Sequence, residues 1–133
     1  DQLRRYQATL RTCFTLENFD NLIKNGRMRP IVGTLLRSLG IHIIADATAE
    51  GTIHVADKAR GVGKTYRAIT ALMKASKDCT DAEVVISHCE NLEGAMALKR
   101  QILADLPVKQ VDLLSCRGLT SFYAMEKGLI VGY

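Results

Sequence analysis

The chain has 133 residues, 47% of them hydrophobic and 24% charged, with a net charge of +4 from 18 Lys and Arg against 14 Asp and Glu. That length and balance fit one compact, soluble domain with a core. They exclude a membrane span, because no apolar run approaches the roughly 18–20 residues needed to cross a bilayer. They also argue against nucleic-acid binding: the basic residues are interspersed with acidic ones, and only 3 Phe, 4 Tyr and no Trp are present to stack on bases.

Residues 2–11 predict a helix. The segment is charged and opens without Met, as expected of a piece of a longer protein. CFTL, residues 13–16, fits a short strand. ENFDNLIKNG predicts a helix with Phe19, Leu22 and Ile23 on one face and a stop at Asn25-Gly26. RPIVGTLLRSLG restarts a helix after Pro30, with Ile31, Val32, Leu35, Leu36 and Leu39 as its apolar residues and Gly40 as its stop. IHIIADAT and TIHVAD read as strands joined at AEG, an antiparallel hairpin.

A helix starting near Gly63 carries Tyr66, Ile69, Leu72, Met73 and Ser76 at helical spacing, with Lys64, Arg67, Lys74 and Lys77 on its other face. AEVVISHC is a strand by its β-branched run. NLEGAMALKRQILADLP follows as a helix that ends before Pro107. KQVDLLSCRG and GLIVGY are the last strands, and LTSFYAMEK between them is short and ambiguous. The order predicts an α/β (α+β) fold, a single mixed β-sheet with helices packed on it, as one domain over residues 1–133.

The four cysteines, Cys13, Cys79, Cys89 and Cys116, form no C-x-x-C pair, and the three histidines are scattered. No metal site and no cofactor is expected. Unpaired thiols without an export signal suit a cytoplasmic protein. Candidate nucleophile–base groups are Cys116 or Ser115 with His88 and Asp112. His88 ends a strand before a helix, where a ring satisfies backbone groups as readily as it does chemistry.

ADKARGVGKTYRA, residues 56–68, contains the second half of a phosphate loop in Gly63, Lys64 and Thr65. The full motif needs a glycine five residues before Gly63 so that backbone N–H groups can wrap a phosphate. Lys58 occupies that position, beside Asp57. The better reading is a strand, a short connection and a helix start.

Three segments together resemble the DegV family. They are FTLENFDNLIKNGRMR, LGIHIIADATAEGTIHVADKARGVGKTYRAITAL, and AEVVISHCENLEGAMALKRQI followed by LSCRGLTSFYAMEKGLIVGY. The match covers nearly the whole chain but only the C-terminal half of such a protein. The resemblance implies a two-domain bacterial carrier that holds one long-chain fatty acid and presents it to a fatty-acid kinase, catalysing nothing itself. In the family the carboxylate is gripped largely by the N-terminal half, and the acyl chain runs into a tunnel covered by the C-terminal half.

Gly26-Arg27-Met28 matches the family's Gly-Arg-Ile. Arg60 matches an arginine near the ligand opening and the kinase-docking surface, and His88 a structural strand-end histidine. Three positions depart from the pattern. Asn25 replaces a first glycine and Ile43 a proline. Cys116, in SCRGLTS, takes the place of a histidine near the ligand head. The implied ligand-binding residues are therefore Arg27, Met28, Ile31, Leu35, Leu39, Arg60 and Cys116. The surplus of apolar residues in 31–39 fits a tunnel lining, although each residue alone also fits ordinary core. Burying an alkyl chain yields about 0.8 kcal/mol per CH₂. Two other readings stay open: a nucleotide-dependent enzyme using Lys64 and Thr65, and a ligand-free interaction module docking an acidic partner through GRMR and ARG.

Overall fold

The computed structural model describes residues 1–30 and 39–133. Among the described residues eleven elements follow one another: α1 (Gln2–Thr9), β1 (Thr12–Leu16), α2 (Asp20–Lys24), β2 (Ile41–Ala47), β3 (Ile53–Arg60), α3 (Val62–Ser76), β4 (Glu83–His88), α4 (Leu92–Asp105), β5 (Gln110–Ser115), α5 (Gly118–Ala124) and β6 (Leu129–Gly132). The strands form one six-stranded mixed sheet in the order β3-β2-β1-β6-β4-β5. β4 and β5 run parallel, joined by α4 as a crossover; every other pair is antiparallel. The predicted single mixed sheet with packed helices is the observed architecture.

The predicted hairpin forms, but β3 runs three residues beyond TIHVAD, to Arg60. Its register against β2 shifts where Ile44 pairs with Asp57 and Ala45 with Val55, so that Ala56 is an extra residue, a β-bulge. The longer strand leaves one residue, Gly61, between β3 and α3. Gly61 sits at φ 82, which favours glycine, and turns the chain straight into the helix. The ambiguous stretch LTSFYAMEK contains α5. The helix predicted over 31–39 lies outside the described residues except for Leu39, which is in a turn.

One face of the sheet carries the main core. Cys13, Ile44, Val84, Ile86, Leu129 and Val131 from the strands meet Ile69 and Met73 of α3 and Leu98 and Ile102 of α4. Each α3 residue named there lies three or four positions from the next, one stripe of an amphipathic helix. Tyr133 closes the far end: its backbone pairs with Arg11, and its hydroxyl lies 2.7 Å from that of Ser76.

Candidate functional site

The opposite face of the sheet is built from the alternate strand positions. Register places Ile53 and Val55 of β3, Ile43 and Ala45 of β2, Phe14 and Leu16 of β1, and Ile130 of β6 on it. Of these strands, β6 is apolar on both sides. β6 reads Leu-Ile-Val, with Leu129 and Val131 fully buried against the helices and Ile130 pointing the other way. A strand that is apolar on both faces normally has both faces covered.

Among the described residues, the second face has only the short helices α2 and α5 on it. A small cluster of Leu16, Leu22, Met28 and Ala124 is buried there. Around it Phe14, Ile53, Val55, Tyr123, Ile130 and others are only partly covered. Leu114, by alternation on β5, is 55% exposed, and Phe122 at the end of α5 is 47% exposed. The result, among the described residues, is an apolar floor that is only partly covered.

Met28 is buried in this cluster and Cys116 packs half-buried against it. Arg27 is exposed, and its backbone N–H donates to the Leu22 carbonyl at 2.8 Å, closing α2 after Gly26 at φ 67. Arg60 is exposed at the end of β3, and its Nε donates to the Leu39 carbonyl at 3.0 Å. Leu39 is itself 44% exposed. Ile31 and Leu35 lie outside the described residues. The fold thus brings Met28 and Cys116 to one floor and leaves Arg27 and Arg60 in solvent. Phe14, Ile53, Val55, Tyr123 and Ile130 were absent from the residues expected of a site. For Ile130 the signal is the apolar run of β6; for Phe14, Ile53 and Val55 it is alternation along β1 and β3.

His88 is buried, and its Nδ1 accepts the backbone N–H of Asn91 at 3.3 Å. Asn91 in turn caps α4 by accepting from the Gly94 N–H at 3.1 Å. The ring thus satisfies a backbone group where β4 gives way to α4. Lys64 and Thr65 fall in the first turn of α3, where the Thr65 hydroxyl is buried and donates to the Gly61 carbonyl at 2.9 Å. With one residue between strand and helix there is no loop to wrap a phosphate, and the hydroxyl that a magnesium ion would need is already committed.

A separate cleft of about 250 Å³ lies where α3 and α4 begin, lined by Thr15, His42, Thr65, Tyr66, Asn91 and Lys127 among others. Burial raises the Tyr66 hydroxyl pKa, and the carboxylates of Glu17 and Glu93 raise it further. The Thr15 hydroxyl is buried without a hydrogen-bond partner among the described residues. No group of three or more His, Cys, Asp or Glu placed to hold a metal occurs among them. Nor is any of their helices long and apolar enough to cross a membrane.

The family model described as "Uncharacterised protein, DegV family" matches residues 1–129. The chain belongs to the DegV family. A DegV domain-containing protein of Streptococcus gordonii is 32% identical over 133 residues, which are 99% of this chain and 47% of that protein. Among solved structures, a DegV family protein of Ruminococcus gnavus with vaccenic acid superposes with a TM-score of 0.89 at 30% identity, over 99% of this chain and 47% of that one. The Streptococcus pneumoniae Fatty Acid Kinase (Fak) B3 protein loaded with linoleic acid gives 0.86 at 33% identity, with the same coverage of both chains. This DegV chain spans about half the length of the relatives it matches.

Proposed function

We propose that this DegV chain is the C-terminal half of a fatty-acid carrier, and that the second sheet face is the wall against which a long acyl chain lies. One observation carries the reading: a second sheet face with apolar residues from four strands, only partly covered, on which the described residues place only two short helices. A hydrocarbon and a second wall from the rest of the protein would complete the burial that these strands are built for. The acids held by the R. gnavus and S. pneumoniae relatives support this choice of ligand.

On this reading Met28 and Cys116 touch the acyl chain, together with Phe14, Val55, Tyr123 and Ile130. Ile31, Leu35 and Leu39 extend the lining. Arg27 and Arg60 stand at the rim, where a guanidinium steers a carboxylate or an acidic partner surface. The protein binds and presents its acid in the cytoplasm and catalyses no step on it. The name of the S. pneumoniae relative supports a fatty-acid kinase as the partner that receives the acid, and Arg60, exposed at the end of β3, is the residue of this chain that docks it.

The test is chemical. Full-length protein purified from cells is denatured and extracted, and the extract is analysed by mass spectrometry. A long-chain acid near one equivalent is expected. Protein that emerges empty from every preparation, and takes up no acid when offered one, overturns the reading.

A further inference from the structure

We propose that Cys89 and Cys116 are a covalent redox site, two neighbouring thiols that close to an intramolecular disulfide under a hydroperoxide oxidant and reopen under a dithiol reductant. The parallel pairing of β4 and β5 carries the inference. Its last register pair is His88 opposite Ser115, and the next residue on each strand is a cysteine. The Cys116 N–H donates to the His88 carbonyl at 2.8 Å, the bond that closes this last pair and holds the two strand ends together just before the cysteines. On its other side Cys89 is held to the β6 end, donating to the Gly128 carbonyl at 3.0 Å and accepting from the Lys127 N–H at 2.9 Å.

Alternation along β4 and β5 carries Cys89 and Cys116 to the same face of the sheet, where adjacent strands lie about 4.8 Å apart. That separation falls within the roughly 4.4–6.8 Å between Cα atoms that a disulfide accepts. Both side chains pack half-buried against the same apolar cluster. The thiols also sense each other electrostatically: burial raises the Cys116 pKa, and the neighbouring Cys89 raises it further. Cys13 and Cys79 are buried in the opposite cluster and share none of this.

Straight strands hold the two Cβ atoms at about the strand spacing, wider than the roughly 3.8 Å usual in a disulfide. Closure must therefore draw the two strand ends together. Both cysteines lie just past the last ladder pair, and Glu90 turns away at φ 48, so the movement falls where the sheet ends. The resulting bond is strained and easily reduced, the character of a regulatory disulfide.

The chemistry balances in two steps. One thiol attacks the hydroperoxide: its sulfur takes a hydroxyl oxygen, the O–O bond breaks, and the thiol proton leaves with the other oxygen as water or alcohol. The second sulfur then attacks the sulfenic sulfur. An S–S bond forms, the S–O bond breaks, and the oxygen departs as water with the second thiol's proton. Two electrons pass from the sulfurs to the peroxide.

The experiment treats full-length protein with hydrogen peroxide, blocks remaining thiols and maps the tryptic peptides without reduction. The expected product joins the peptide of residues 78–99 to that of residues 110–117, lighter than their sum by two hydrogens and lost on treatment with dithiothreitol. Because Cys79 shares the first peptide with Cys89, the link must persist in Cys79→Ser and vanish in Cys89→Ser and in Cys116→Ser. Separate sulfinic or sulfonic acids without a linked pair, or no native-state oxidation, overturn the proposal. Only the site's position beneath the acyl chain rests on the fatty-acid reading, so lipid is extracted from the same samples. A link in lipid-free protein keeps the redox site and counts against the carrier; lipid without a link does the reverse.

Discussion

The Thr70 hydroxyl donates to Asp105 Oδ2 across 2.7 Å and joins the middle of α3 to the last residue of α4. Gln101 Nε2 donates to the same oxygen at 2.7 Å. The Thr70 bond first, and the Gln101 bond second, hold the Asp105 carboxyl below its ordinary pKa, with Arg67 and Lys74 adding to the effect. A folded-state pKa below the unfolded one gives stability that is present above the unfolded value and lost as pH falls through the folded value. Asp105→Asn should therefore flatten the acid limb of stability. Thermal melts between about pH 7 and about pH 3 check this; an unchanged acid limb in the variant rejects it.

Thr15 offers the opposite case. It faces the helix side of the sheet, buried, and its hydroxyl has no partner among the described residues. A buried hydroxyl left without a bond costs about 1–3 kcal/mol, and an apolar group of the same shape removes that cost. Thr15→Val should leave stability unchanged or raise it by about 1 kcal/mol in urea titration. A clear loss would mean that the hydroxyl has a partner, such as a water or ligand in the cleft it lines.

Much of this architecture was legible because the residues announce it locally. Ile69 and Met73 repeat at helical spacing, Asn25-Gly26 ends a helix, and the β-branched run of β4 reads as a strand. Sheet order was not legible, because β6 inserts between β1 and β4 through pairings such as Phe14 with Ile130, far apart in the chain. Seven residues such as Gly118–Ala124 are too few for a helical period to stand out, so the stretch that forms α5 reads as ambiguous. The candidate site suffered in the same way. Cys116 could be named from sequence, but its neighbour Cys89 follows only from the β4–β5 register.

Gly128 is required by space. A Cβ there would lie 2.5 Å from the Ala124 carbonyl oxygen and 3.0 Å from Leu16 Cδ2. The first obstacle is backbone and cannot swing aside. Its own N–H donates to the Met125 carbonyl, and its carbonyl accepts from Cys89. Gly128→Ala should cost about 1–3 kcal/mol, the usual range for overpacking, with the loss visible in the denaturation midpoint. A midpoint equal to the parent would show that the turn between α5 and β6 relaxes freely.

The cysteines should differ sharply in reactivity. Burial, with a contribution from Asp46, pushes the Cys13 thiol up to about 12, so almost no thiolate is present near neutral pH. Cys79 is also buried and raised. Native protein titrated with a thiol reagent should modify Cys89 and Cys116 first, and Cys13 only as fast as the domain unfolds. Peptide mapping at early times checks the order; Cys13 labelled with the first fraction would contradict the burial on which it rests.

Acyl-chain length provides the last and most direct test of the apolar floor. If the second sheet face and a wall opposite it enclose hydrocarbon, each added methylene removes one more CH₂ from water. At about 0.8 kcal/mol each, affinity should rise about fourfold per carbon. The rise must stop when the chain reaches the end of the enclosed space, so longer acids should gain nothing or lose. Phe14→Ala removes a half-buried ring from the floor and should lower affinity about tenfold for acids long enough to reach it, while leaving short acids unaffected. Displacement of a fluorescent acid by a homologous series, on parent and variant, reads both effects. Affinity independent of length would place the binding energy in the head group and leave the second sheet face without an acyl chain.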